Sequence, residues 1–253
     1  MRTRLFLLSA LLVLSSGTTP FAAERDGRLK VLVVTGGHGF AREPFFQMFK
    51  DIPAITFTHA EHSRTDAMVY ERADLLDYDV VVLYDMANTI TETQKARFLS
   101  LFDKGVGLVV LHHALVSYQH WPDYERIIGG QYPEEDGKSG AVTEQVGYEH
   151  DVDVPVVIVA KDHPVTAGLK DFALHDEIYW GYRVGEDVTP LVSTTHPKSG
   201  KPLAWSRTEK NSRVVFIQSG HGPEAFTNAN YRQLLAQSIR WTANKSPGAN
   251  KKL

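Results

Sequence analysis

His112 and His113 stand side by side where the apolar run of GLVVLHHALVSYQHW, residues 107–121, gives way. In an α/β protein that point often carries a nucleophile on a tight strand-to-helix turn, yet neither Ser nor Cys follows the strand here. Two further imidazoles occupy equivalent places. His38 lies three residues past LKVLVVT, residues 29–35, and His221 follows SRVVFIQSG, residues 212–220. Ligands of open parallel sheets bind beyond the carboxyl ends of the strands, so three strand ends direct imidazoles at one crevice. Neutral imidazoles grouped without cysteine suit a divalent metal such as zinc, with a carboxylate completing the set and one position left open for catalysis. His38, His112 and His221 are the first metal candidates, with His150 in reserve. His113 and Glu177 join His112 as candidate catalytic groups.

Each of these residues also has a plainer reading. One histidine at a strand end is ordinarily a hydrogen-bonding loop residue, and His113 also reads as buried behind the turn. The paired acids Asp176 and Glu177 in HDEIYW fit a surface turn as well as a site. His59, His62, His120, His175 and His196 read as solvated or local-turn residues. The argument for chemistry is therefore collective.

The elements that must position these groups are legible from alternating patterns. LKVLVVT and YDVVVLYD are short Val-rich apolar runs of the kind found in strands buried on both faces. AITFTHA lies between them as a further strand, with crossover helices expected over residues 42–50 and 66–76. Thr91 followed by Gln94 makes a capping box, Phe98, Leu99, Leu101 and Phe102 form one apolar face, and Gly105 supplies the left-handed stop. GLVVLH returns as a strand. VDVPVVIVA, TPLVSTTH, PLAWSR and SRVVFIQSG read as later strands, with Pro155 marking an edge position or a bulge. A final helix is expected over residues 231–242 and a frayed tail over KSPGANKKL. TGGHGF has neither the Walker lysine nor Rossmann spacing.

Composition sets outer limits. The 253 residues are 43% hydrophobic and 23% charged, ordinary for one folded domain. Lys and Arg total 27 against 30 Asp and Glu, with no long run of either sign, which points away from nucleic acid and from a polybasic membrane patch. The absence of cysteine excludes disulfides, thiolate catalysis and iron–sulfur clusters. MRTRLFLLSALLVLSSGTTPFAA has two arginines, about ten apolar residues and a small-residue exit, which is the layout of a secretory signal peptide and too short to span a bilayer. Residues 1–23 are thus expected to be removed, leaving 24–253 as one exported, periplasmic domain.

VLVVTGGHGF, GLVVLHHAL, WPDYERIIGGQY, DHPVTAGL, HDEIYW, PLAWSR and VVFIQSGHGPEAF, in this order, resemble the ThuA-like (trehalose-utilisation) family over about residues 29–241. The resemblance implies a flavodoxin-like three-layer α/β sandwich with a mostly parallel central sheet, similar to class I glutamine amidotransferases. It also implies work on keto-sugars alongside a sugar oxidoreductase. Amidotransferases carry Cys on the elbow and His-Pro-Glu after a late strand. Here His112 takes the elbow, and HGPE supplies His221 and adds Glu224 to the candidate catalytic groups. Imidazole cannot form the thioester on which glutamine hydrolysis depends.

The expected function is metal-dependent proton transfer, an isomerase or lyase reaction, on a small-molecule carbohydrate, a keto-sugar or keto-glycoside. Phe40, Tyr118, Trp121, Tyr179 and Trp180 are the candidate ring faces for the sugar. A non-catalytic carbohydrate- or partner-binding module is the competing class, and a glycoside hydrolase using His112 as a base is a third. The leader reading predicts that protein recovered from its native host begins between Thr18 and Glu24. Amino-terminal sequencing that returns an intact Met1 contradicts it.

Overall fold

A computed structural model describes residues 27–133 and 145–244. The expected signal peptide and the frayed tail lie outside them. The chain opens with β1 (Leu29–Gly36), α1 (Arg42–Lys50), β2 (Ile55–Glu61), β3 (Val80–Asp85), α2 (Glu92–Lys104) and β4 (Gly107–Leu111). It continues through α3 (Pro122–Ile128), β5 (Gly130–Gln131), β6 (Gly147–Ile158), β7 (Phe172–Trp180), β8 (Arg183–Val184) and β9 (Thr189–Thr194). β10 (Ala204–Glu209), β11 (Ser212–Ile217), α4 (Pro223–Thr227) and α5 (Ala229–Thr242) complete it.

Nine strands form one sheet in the order β2-β1-β3-β4-β11-β10-β9-β6-β7, and β5 pairs with β8 in a small second sheet. The pairings from β2 to β11 are parallel, and those from β11 through β10, β9 and β6 to β7 are antiparallel. β9 and β7 therefore run in the same direction as the parallel set. Alternation divides each central strand between two cores. Val31 and Val33 face α1, α4 and α5, while Leu32 and Val34 face α2 and α3. This is the three-layer α/β sandwich that the family resemblance implies. Among the described residues no helix is long and apolar enough to cross a membrane.

Local chemistry fixes the boundaries. Thr91 and Gln94 form the expected capping box, and Gly105 ends α2 at φ 84°. Residues 66–76 do not form the expected helix but two 3-10 turns, Met68–Glu71 and Leu75–Asp77. Asp66 draws the Met68 amide into an Asx turn at 2.9 Å. Arg72 is extended at ψ 136°, and its carbonyl is taken by Arg97.

Pro155 is not on the edge strand, because β7 flanks β6 outside it. It does sit just before the stretch paired with β9, which begins at Val156. The bulge in β6 lies earlier, between Glu149 and Val152. Replacing Thr91 with Ala removes one half of the capping box and should cost about 1 kcal/mol, read by urea denaturation.

Candidate active site

The carboxyl ends of β1, β4 and β11 lie together because all three belong to the parallel part of the sheet. His112 opens a 3-10 turn directly after β4 and adopts φ 50°, a left-handed conformation that costs a non-glycine residue on the order of 1 kcal/mol. Its Nδ1 lies 2.7 Å from the Gln218 carbonyl and, facing a pure acceptor, donates to it. That bond holds the side chain, fully buried, with Nε2 turned away from β11.

Nε2 faces three polar atoms: Glu177 Oε2 at 2.7 Å, the Tyr179 hydroxyl at 3.0 Å and His221 Nδ1 at 3.2 Å. His221 Nδ1 is also 3.1 Å from Glu177 Oε2. Three candidate ligand atoms, from His112, Glu177 and His221, thus lie within 4.8 Å of one another.

Glu177 arrives from the far end of the sheet. Its neighbour Asp176 points the other way and accepts the backbone amides of Gly220 at 2.7 Å and His221 at 2.9 Å. Gln218 donates its amide to the Glu177 carbonyl at 3.1 Å. Gly220, at φ 118°, has no room for a Cβ against the Tyr231 hydroxyl. These bonds lash β7 to the loop that carries His221.

The β6 bulge completes the wall. Between Glu149↔Ile178 and Val152↔Asp176 two residues of β6, His150 and Asp151, oppose the single Glu177, and Asp151 takes φ 57°. His150 Nδ1 then lies 3.3 Å from Glu177 Oε1. A cavity of about 180 Å³ opens beside these groups, lined by His38, Arg64, Met86, His113, Val116, Tyr132, Tyr148, His150, Glu177 and Tyr179.

The electrostatics are uneven. Burial alone would raise the Glu177 carboxyl, but its close contacts with His112 and His221 outweigh it and hold the group well below the usual carboxylate range. The same contact with Glu177 raises His221. Desolvation lowers His38, although that residue is exposed, and lowers the buried His113 much further. Burial, reinforced by Glu177, pushes the Tyr179 hydroxyl well up. Asp176 is raised by burial, against the pull of His112 and of the two amides.

His38, His112, His113, His150, His221, Glu177 and Tyr179 therefore surround one crevice. His38 stands beside the triad, its ring 4.6 Å from His113 and 6.1 Å from His221. The remaining candidates lie elsewhere. Tyr118 and Trp121, expected to offer ring faces to a sugar, fill the core with Phe98 and Tyr124, because the chain turns inward after the 3-10 turn. Trp180 is one residue out of phase with Tyr179, belongs to the opposite core and carries Lys198 over its ring. Phe40 packs edge-on against Phe45 and Tyr84. Glu224 is exposed in the first turn of α4. His62, read as solvated or as a local-turn residue, is buried against Asp85 at 3.0 Å. Arg64, Tyr132 and Tyr148 on the cavity wall do not fall at the end of an apolar run, and Met86, which directly follows β3, carries a thioether that gives no signal of chemistry.

Replacing Asp176 with Ala leaves two buried amides without an acceptor. It should destabilise the protein by about 2–4 kcal/mol in urea denaturation. Asp153→Ala, at an exposed position of β6, should stay within about 0.5 kcal/mol.

No curated protein matches the chain. Among solved structures, a putative ThuA-like protein from Parabacteroides merdae superposes with TM-score 0.73 at 20% identity, covering 89% of this chain and 93% of that one. A second, from Bacteroides uniformis, gives TM-score 0.61 at 21% identity, covering 89% and 95%. PurLQS from Thermotoga maritima gives TM-score 0.52 at 10% identity, covering 85% and 99%. At these identities the likeness is one of fold. The family model described as trehalose utilisation matches residues 30–242, and the chain belongs to that family, ThuA.

Proposed function

We propose that this protein is an exported enzyme, residues 24–253 after loss of its leader, that performs metal-dependent proton transfer on a keto-sugar or keto-glycoside. The observation that carries the reading is the crowding at His112 Nε2. With Nδ1 engaged by the Gln218 carbonyl, Nε2 can make one hydrogen bond, either as donor or as acceptor. Three polar atoms nevertheless lie within 3.2 Å of it. A divalent cation shared by His112, Glu177 and His221 resolves that conflict. Ligand atoms arranged tetrahedrally at about 2.0 Å from zinc stand about 3.3 Å apart, close to the spacings among these three. Two imidazoles and a carboxylate are a donor set used by zinc and by ferrous iron, with room left for substrate.

A metal held there would polarise a sugar carbonyl and acidify the carbon beside it. The other groups do the rest. His38 Nδ1 faces the Gly39 carbonyl at 2.7 Å and donates to it, so the neutral ring keeps a lone pair on Nε2. It is placed to take a proton from the acidified carbon. Tyr132 and Tyr148 give the cavity apolar surface for a sugar ring. The carbohydrate assignment draws on the family's trehalose-utilisation description. A sugar oxidoreductase is the class of enzyme that would supply the keto group, since the chain has no dinucleotide fingerprint of its own.

The test is incubation of metal-loaded protein with 3-keto-glycosides and with their parent glycosides in deuterated water. Deuterium should enter the carbon beside the carbonyl, the parent glycosides should be untouched, and His112→Ala should lose both metal and exchange. Turnover of the parent glycoside alone assigns a hydrolase instead, and sugar binding by metal-free protein without exchange assigns a binding module.

A further inference from the structure

We infer that the Tyr179 hydroxyl is the hydrogen-bond donor that receives negative charge on the sugar's reacting carbonyl oxygen. The inference rests on the metal reading above and assigns a role to a residue whose ring the sequence offered only as an apolar face.

The ring of Tyr179 is already engaged. It stacks on His112 at 4.9 Å and 23°, leans on Tyr132 at 5.3 Å, and the residue is 6% exposed. What remains for a ligand is the hydroxyl, because Tyr179 forms part of the cavity wall. Its hydroxyl lies 3.0 Å from His112 Nε2, which accepts from it when Nδ1 carries the ring proton. Once that lone pair is engaged by a metal, the phenol proton must turn to another acceptor. Glu177 Oε2 is engaged in the same way, and Oε1 faces His150. A carboxylate keeps further lone pairs, so the phenol proton has two acceptors in reach, Glu177 and a cavity occupant, and metal affinity separates the two. A phenol is protonated near neutral pH, so the group serves as donor rather than base.

The step balances without moving the phenol proton. A base takes the hydrogen from the carbon beside the carbonyl as a proton. The C–H electron pair becomes the new carbon–carbon π bond, and the carbonyl π pair moves to oxygen. That oxygen gains a full negative charge during the reaction, and a donor already aimed at it acts more strongly on the transition state than on the ketone.

Tyr179→Phe keeps the ring and its stacking, and urea denaturation checks that the variant folds. Three readouts decide the matter. Cobalt(II) affinity, from chelator competition, should stay within about threefold, whereas a partner that merely positions Glu177 would change it by about 10–100-fold. Threonohydroxamate, a polyhydroxylated mimic of an enediolate, should bind the cobalt protein about 30-fold or more weaker, followed by the cobalt spectrum. With a 3-keto-glycoside, kcat should fall by about 10²–10³ while KM changes little. Equal threonohydroxamate affinity in both proteins overturns the assignment, as does a loss confined to metal affinity. A wild-type protein that takes up no cobalt fails at the earlier step and overturns the metal reading along with this one.

Discussion

The carboxylate of Asp176 is 5% exposed, and taking it out of water is unfavourable unless strong donors replace the solvent. The donors are two consecutive amides, those of Gly220 and His221, at the exit of β11. In sheet order β7 is five strands from β4, about 24 Å away if the sheet lay flat at about 4.8 Å per strand. Yet Glu177 of β7 touches His112, the residue after β4. The antiparallel extension must therefore curl back over the carboxyl edge of the parallel strands. Asp176 holds it there, and the triad, the bulge and the cavity all follow from that return.

The parallel half was legible because its signals are local. Continuous Val-rich runs, a capping box at Thr91 and a glycine stop at Gly105 each act within a few residues. The histidines after three of those runs could be placed at one crevice by a rule about strand ends. The return of β7 has no local signature. HDEIYW alternates between a carboxylate for a distant loop, Asp176, and one for a distant imidazole, Glu177, so its meaning depends on partners far along the chain. The aromatics divided for a similar reason. Tyr179 and Trp180 differ by one residue and face opposite cores. Tyr118 and Trp121 went to the interior because the chain turns inward once the left-handed His112 has ended β4.

His112 brings together two constraints that are usually separate. Its left-handed backbone is costly, as on nucleophile-bearing turns, but the bond to the Gln218 carbonyl fixes which ring nitrogen faces inward. A nucleophile on such a turn needs freedom to attack, whereas a ligand needs a fixed tautomer and direction. The elbow geometry of an amidotransferase-like fold thus serves a group that is held still. His113, the next residue, is buried with neither ring nitrogen hydrogen-bonded, and its ring lies 4.3 Å from Tyr84.

The extra residue in β6 acts on the strand as a frameshift acts on a reading frame. Val152, Val154, Val156 and Ile158 occupy even positions and pack into the core under α1 and α5, whereas Tyr148, also even, packs on the other side of the sheet. One strand is thereby read in two phases, with the change falling at His150 and Asp151 opposite Glu177. A binary hydrophobic pattern, which assumes a single phase from end to end, loses the message where the cavity begins. Length variation at this point in related chains would reassign every side chain upstream of it to the other face without altering a single one of them chemically.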